Sequence, residues 1–448
     1  MPAPARLVTL RVLRALRGRG GDLASVLERE RRSLPDARDR ALVTEIAIGA
    51  VRWRAALDHV IAWAGERRID EFDAAVLDIL RISAFQLLHL DRVPAAAAVD
   101  DAVDLCRLEG HPRAAGAVNA ILRRISRERA RLPMPGPEEP LAYLSVTWSH
   151  PQWLAARWIA RLGIEHAVSW VRFNNAPAPL TLRANTLRTS RDALAAALLS
   201  AGVATHPCRF APDGLIIDSG QPLETPLARE GLFLAQDEAS QLVGVFAAPA
   251  AAARVLDACA APGGKAVQFA SAAGPRGFVV AGDVRPRRVH LLRETLVAAR
   301  ADRTAIVRHD LLDGLPFGPV FDCVVVDAPC SSLGTIRRDP DIRWTREPGD
   351  LAWFAARQLR MITAASRGVR PGGYLVYATC SSEPEENDEV VDAFLAGTPE
   401  FSLEPPAQDP ALPACGVAEC LDARGCLRTT PHQHGLEAFF AARLRRRS

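Results

Sequence analysis

Through residues 1–131 apolar side chains recur every three or four positions, the spacing of a helix with one buried face. Leu7, Leu10, Leu13 and Leu16 stripe a first helix, which ends at Gly18, Gly20 and Gly21. Pro35-Asp36 opens a long amphipathic run carrying Ile46, Ile48, Val51 and Trp53. Val76, Leu77, Leu80 and Ile82 mark a further helix, and Ala115 to Ile125 another. No strand-like alternation of useful length interrupts them, so the pattern predicts an all-α domain over 1–131. Residues 132–140, rich in Pro, read as a linker.

The pattern then changes twice. Over 141–245 helix and strand signals mix. Pro151-Gln-Trp-Leu154 opens a helix, Leu180–Asn185 reads as a strand, and Ser190 is placed to cap another helix. Short strands follow near Leu215–Ile217 and Leu232–Leu234, giving a small α+β domain. Over 246–448 strands alternate with helices, which predicts a parallel sheet covered on both faces. The strands are Arg254–Asp257, Phe278–Ala281, Ala305–Val307, Cys323–Val326 and Tyr374–Tyr377. In such sheets ligands bind beyond the C-terminal strand ends, where strand order reverses.

Composition narrows the class. A chain of 448 residues, 49% hydrophobic and 24% charged, has room for several folded domains and is not wholesale disordered. No stretch approaches the ~20 apolar residues of a membrane span. The start lacks a signal peptide's apolar core, so a cytoplasmic protein without membrane association is expected. Net charge is only +3. A nucleic-acid partner would therefore meet a local patch rather than a global basic field. Arg123, Arg124, Arg127, Arg129 and Arg131 form one such patch, although basic helix ends are also ordinary solvated faces.

The 55 Lys and Arg residues include one Lys, Lys265. In a chain so biased toward Arg, a remaining Lys marks a place for a slim ammonium that a planar guanidinium would not fit. The nine Cys are odd in number and no secretion signal accompanies them, which points to free thiols rather than disulfides. Cys415, Cys420 and Cys426, near His432 and His434, lack the tight pairs of most zinc sites, and no metal is expected.

The chemistry gathers at strand ends. The first strand of the sheet runs into Asp257-Ala-Cys-Ala-Ala-Pro-Gly-Gly-Lys265, then a helix. A glycine pair there lets backbone amides approach a ligand closely. The spacing fits neither a Walker A loop nor the dinucleotide fingerprint. Asp283 ends the second strand, where a carboxylate can grip ribose hydroxyls, and Asp310 follows the third, near the base end of an adenosine. With Lys265 free to answer a carboxylate, a nucleoside carrying an amino-acid tail fits best, which describes S-adenosyl-L-methionine. The fourth strand ends in Asp327-Ala-Pro-Cys-Ser331 and the fifth in Thr379-Cys-Ser381, so Cys330 and Cys380 sit on neighbouring tips. Methylation of oxygen or nitrogen needs no thiol. Methylation at C5 of a pyrimidine does, because a thiolate must add to C6 before C5 becomes nucleophilic. Asp327 is the candidate to polarise N3.

These motifs resemble the RNA cytosine-C5 methyltransferases. Ile336-Arg-Arg-Asp-Pro-Asp-Ile-Arg-Trp344, Arg370-Pro-Gly-Gly373 and Pro384-Glu-Glu-Asn387 fit the same pattern. Near the C-terminus Glu437-Ala-Phe-Phe440 stands where that family has Asp-Gly-Phe-Phe. The N-terminal part is similar to the NusB-like RNA-binding fold, through Gly49–Arg54, Ala84–Leu88, Leu90–Pro94 and Gly116–Arg124. Together they resemble the 16S rRNA methyltransferase B group. The resemblance implies an all-α NusB-like domain, a small α+β RNA-contacting domain and a Rossmann-like, S-adenosyl-L-methionine-dependent methyltransferase domain. It implies cofactor binding by Cys259, Ala260, Ala261, Pro262, Gly263, Gly264, Lys265, Asp283, Asp310 and Asp327. It makes Cys380 the nucleophile and Cys330 the residue that assists product release. Its partner would be 16S rRNA, contacted by the Arg-rich helix end and by Arg337, Arg338 and Arg343. No protein partner is evident, and a monomer is expected. A tRNA or other rRNA cytosine, or a non-catalytic RNA-binding factor, are the alternatives.

Overall fold

The computed structural model describes residues 3–18, 21–404 and 416–448. They form two compact units, one of residues 3–176 with Ile336–Thr345, the other of Pro177–Thr335 with Arg346–Ser448.

The first unit is helical. Its helices are α1 (Pro4–Arg17), α2 (Leu23–Arg31), α3 (Ala37–Arg52), α4 (Arg54–Gly65), α5 (Ala74–His89), α6 (Ala95–Leu108) and α7 (Ala115–Arg127). Asp22, Asp36 and Asp73 cap α2, α3 and α5 by accepting from backbone amides of the first turn. Helix α5 is apolar nearly all round and lies in the core, with Ile79, Leu80, Ile82 and Ala84 fully buried. Helices Gln152–Leu162 and Ile164–Asn175 belong to this unit by their contacts.

So does Ile336–Thr345, although it is covalently part of the later sheet region. Trp344 Nε1 donates to Val51 O at 2.7 Å, and Leu23 N donates to Asp341 Oδ2 at 3.0 Å. Arg343 is wholly buried. Its guanidinium donates to Ser149 O and Asn175 Oδ1, both at 2.9 Å. A phosphate contact for Arg343, expected from the sequence, is thereby excluded: the side chain is out of solvent, and its terminal nitrogens donate to carbonyl oxygens that would otherwise be unpaired in the interior. The terminal Arg cluster is also partly neutralised. Arg124 pairs with Glu66 at 2.7 Å, Arg127 with Glu128 at 3.1 Å and Arg129 with Asp91 at 3.1 Å.

The second unit holds two sheets. The smaller is antiparallel, ordered β2 (Ala204–Pro207), β3 (Gly214–Ser219), β1 (Thr181–Ala184), β4 (Phe233–Ala235). Ser190 caps the helix Arg191–Ser200 by accepting from Ala193 N, as its position predicts. The larger sheet contains β5 (Arg254–Asp257), β6 (Phe278–Asp283), β7 (Thr304–Arg308), β8 (Phe321–Asp327), β9 (Val369–Thr379), β10 (Phe401–Leu403), β11 (Leu427–Arg428) and β12 (Phe440–Arg446). Its order is β10-β12-β9-β8-β5-β6-β7, with β11 on β12. Strands β5 to β9 run parallel, and the order reverses between β5 and β8.

The sheet is not wholly parallel. Strand β12 pairs antiparallel with both β9 and β10. Its sequence, Phe-Ala-Ala-Arg-Leu-Arg-Arg, has weak strand propensity, and pairing against β9 overrides it. Side chains alternate across the sheet: Val255, Cys323, Val325 and Val376 enter one core, Leu256, Val324, Val326 and Leu375 the other. Cys323 is a buried structural thiol, as its mid-strand place suggests. Ala438, in the altered Glu437–Phe440 motif, needs no left-handed backbone, so alanine is accommodated there. Among the described residues no helix is long and apolar enough to cross a membrane.

Candidate active site

The reversal of strand order brings together the end of β5 and the end of β8. After Asp257 the chain turns through Ala258–Gly263, and the helix Gly264–Ala273 begins without a side-chain cap. Its first amides are therefore left for a ligand or water. Gly263 has φ 113°, and a Cβ there would lie 3.0 Å from Leu292 and 3.1 Å from Thr295, so only glycine suits the turn. Ala260 N donates to Gly282 O at 2.8 Å and Ala261 N to Asp283 Oδ2 at 3.3 Å, which ties the turn to the tip of β6. Asp283 is also held by Arg288 Nε at 3.1 Å. Asp310 Oδ1 caps the turn after β7 by accepting from Leu312 N at 2.9 Å.

Two charged groups behind this turn stand out. Asp257 is buried, and no side chain among the described residues hydrogen-bonds its carboxylate. Burial, reinforced by the nearby charge of Asp327, pushes its carboxyl up to about 7. Lys265 Nζ lies 2.8 Å from Asp327 Oδ2 and donates to Ser240 Oγ at 2.7 Å. Its ammonium is thus committed to Asp327 rather than standing free for a ligand carboxylate.

The thiols meet at the tips of β8 and β9. Cys330 Sγ and Cys380 Sγ are 3.2 Å apart, and Cys380 Sγ lies 3.5 Å from Ser332 Oγ. The hydrogen bond from Cys330 pulls the Cys380 thiol below its usual range against the effect of burial, with further help from Ser332 and Lys265. The same hydrogen bond, together with burial, pushes the Cys330 thiol well up. One thiol of the pair is therefore set to ionise and the other to stay protonated.

A buried carboxylate fixes this arrangement. Glu386 is wholly buried and accepts from Ser331 N at 2.8 Å, from Gln358 Nε2 at 3.0 Å, and from the hydroxyls of Ser331 and Ser381. Ser331 and Ser381 are the chain neighbours of the two cysteines. Gly334 closes the same corner: its N donates to Cys380 O at 3.0 Å, and a Cβ would come within 1.9 Å of Ala438 O.

These loops border a cleft of about 680 Å³. Of the candidates named from sequence, Cys259, Ala261, Asp283, Asp310, Asp327, Cys330 and Cys380 line it. Ala260, Pro262, Gly263, Gly264 and Lys265 build its turn without lining it. The sequence marks Asp257 only as a strand end, and it includes Glu386 in the Pro384–Asn387 motif without giving it a role. Nor does it flag Arg346, Trp353 and Arg357, which line the far wall from the helix Pro348–Ser366 and the segment before it. A motif of spaced residues identifies a loop, whereas an aromatic on an amphipathic helix carries no such signal. Cys420 and Cys426 are buried away from these loops, and burial pushes each to about 12. Cys415 lies outside the described residues. Among the described residues no group of three or more His, Cys, Asp or Glu is placed to hold a metal ion.

The fold and the cleft at its topological reversal define the class: a Rossmann-like methyltransferase carrying a NusB-type helical domain and a ferredoxin-like domain. Residues 245–445 match the 16S rRNA methyltransferase RsmB/F model, 3–127 the NusB family and 150–224 the RsmF/B-like ferredoxin-like domain. The chain is 32% identical to the probable ribosomal RNA small subunit methyltransferase B of Bacillus subtilis, over 91% of each chain. It is 35% identical to the ribosomal RNA small subunit methyltransferase B of Pseudomonas putida, over 88% of this chain and 89% of that one. The crystal structure of PH0851 shares the fold, with a TM-score of 0.80 over 99% of each chain at 24% identity. The chain belongs to the ribosomal RNA small subunit methyltransferase B family.

Proposed function

We propose that this protein transfers a methyl group from S-adenosyl-L-methionine to C5 of a cytosine in 16S rRNA, through a covalent bond between Cys380 and C6. The observation that carries the reading is the thiol pair, 3.2 Å apart with Cys380 favoured as thiolate, on the rim of a cleft of nucleoside size.

The residues present fit the cofactor. The turn Cys259–Lys265, with Asp283, Asp310 and Asp327, would hold it. The buried Asp257 carboxylate, which no side chain among the described residues hydrogen-bonds, offers a partner for an ammonium group. When bound, S-adenosyl-L-methionine supplies an electrophilic methyl group.

The chain's own groups do the rest. Cys380 thiolate adds to C6 of the flipped-out base. Asp327, with Oδ2 taken by Lys265, shares a proton with N3 through its other oxygen, and the ring becomes an enamine nucleophilic at C5. Once C5 is methylated, its proton passes to solvent water in the cleft, the C–H pair forms the C5=C6 double bond, and the Cys380–C6 bond breaks with its electron pair returning to sulfur. N3 gives back its proton. Cys330 assists this stage, because its S–H donates to the departing thiolate.

By the same proposal residues 1–131 provide RNA affinity, 132–140 link them to the small domain 141–245, and 246–448 carry the chemistry. Surface pairs such as Arg129–Asp91 are weak and can be exchanged for phosphates. RNA binding should then weaken steeply with salt. The protein would act as a cytoplasmic monomer. Transfer of radiolabel from methyl-labelled S-adenosyl-L-methionine to total RNA tests the reading. It requires label in 16S rRNA as 5-methylcytosine; label only in tRNA, or at another atom, overturns it.

A further inference from the structure

We infer that Trp353 is a stacking platform for a nucleobase that flanks the target cytosine. The inference rests on the function proposed above and deepens it by assigning the substrate's neighbouring base to a named surface.

Trp353 lies in the first turns of the helix Pro348–Ser366 and lines the cleft, yet it is 58% exposed. Large apolar side chains are normally left in water only singly or for contact with something else. Its surroundings identify the occupant. The Arg357 guanidinium sits 5.4 Å from the indole centroid. Arg360 follows one turn on, and residues at these spacings share a helix face. The one acid on that face, Asp350, is spent on the helix start, where it accepts from Glu347 N at 2.9 Å. An exposed indole beside arginines that have no acidic partner among the described residues matches a polyanion that carries flat rings, which is single-stranded RNA.

The platform is also joined to the chemistry. Trp353 packs edge-on against Phe354, with centroids 4.9 Å apart. Arg346 lies 5.4 Å over Phe354, and its Nε donates to Ser331 O at 2.9 Å, next to Cys330. A short chain of contacts thus runs from the indole to the thiol loop. A target base leaving its stack for the thiols strands its neighbour, and an indole in the same cleft restores the lost stacking.

Trp353→Ala should raise KM for a 16S rRNA fragment carrying the target cytosine by about tenfold, the low end of what one stacked base contributes. We expect kcat to stay within twofold, affinity for S-adenosyl-L-methionine to be unchanged, and Trp353→Phe to recover most of the loss. Placing an abasic nucleotide at each flanking position in turn identifies the stacked base. At one position it should cost the native protein the same factor and cost Trp353→Ala nothing further. Unchanged KM in Trp353→Ala, or abasic penalties equal in the two proteins, overturns the platform while leaving the methyl transfer intact. Absence of methyl transfer by the native protein instead overturns the function proposed above.

Discussion

Cys330 and Cys380 are 50 residues apart in the chain, and their sulfur atoms are 3.2 Å apart in the fold. They sit on the tips of β8 and β9, which pair in parallel up to Asp327 and Ala378. The contact makes the thiols unequal, because a single shared hydrogen bond favours ionisation of the sulfur that accepts it.

The inequality assigns their roles in a testable way. Cys380→Ala should abolish methyl transfer and form no covalent complex. Cys330→Ala should accumulate a protein–RNA adduct that survives denaturing electrophoresis. An adduct seen instead with Cys380→Ala, and absent with Cys330→Ala, would require exchanging the roles.

The reaction should follow the ionisation of Cys380. Its thiol is held below the usual range, so kcat/KM should rise with pH and level off below the ordinary thiol value. Ser332→Ala removes one of the groups that favour the thiolate. It should shift the inflection upward and slow the reaction near neutrality by roughly three- to tenfold, the size of one modest hydrogen bond. A pH–rate profile that Ser332→Ala leaves in place would exclude this source of activation.

Glu386 should matter out of proportion to its distance from solvent. Glu386→Ala removes the acceptor of four donors, three of them on the serines flanking the cysteines, and should cost about 3 kcal/mol or more of stability in a denaturant titration. Glu386→Gln places an amide donor among donors. At temperatures where that variant stays folded, kcat should fall while cofactor affinity holds.

Asp257 predicts a pH dependence of stability. Its folded-state carboxyl titrates near about 7, above the value for an unfolded chain. Between those values the native state holds a proton that the unfolded state has lost, so stability falls as pH rises through this window and then levels off. Asp257→Asn should remove that loss, leaving the ligand-free protein more stable at pH ~8 by on the order of a few kcal/mol. The same variant should bind S-adenosyl-L-methionine more weakly. Thermal melts across pH, paired with calorimetry, check both outcomes.

Lys265→Arg tests whether the one Lys is there for shape. Its side chain is 11% exposed and bridges Asp327 and Ser240. A guanidinium of different geometry should disturb Asp327 and weaken cofactor binding by roughly tenfold, about 1.4 kcal/mol. Unchanged affinity by calorimetry would show that the slot accepts either cation.

The sequence by itself determined what local rules control. Helical periodicity placed α1, α3, α5 and α7, and apolar runs placed β5 to β9. The Pro-Gly-Gly-Lys turn and the two cysteine loops were legible because each is a short segment whose residue types and spacing carry a mechanism. Tertiary structure alone decided what depends on groups distant in the chain. It turned Lys265 from a free cation into the partner of Asp327, because the fold brings the start of the helix after β5 against the end of β8, where a half-buried carboxylate is in reach of the ammonium. It buried Arg343, whose donors satisfy carbonyls of Ser149 and Asn174 that no periodicity reveals. It made an antiparallel strand of the Arg-rich Phe440–Arg446 through its ladder with β9. The inequality of the two thiols arises the same way, from one hydrogen bond between loops that only the sheet brings together.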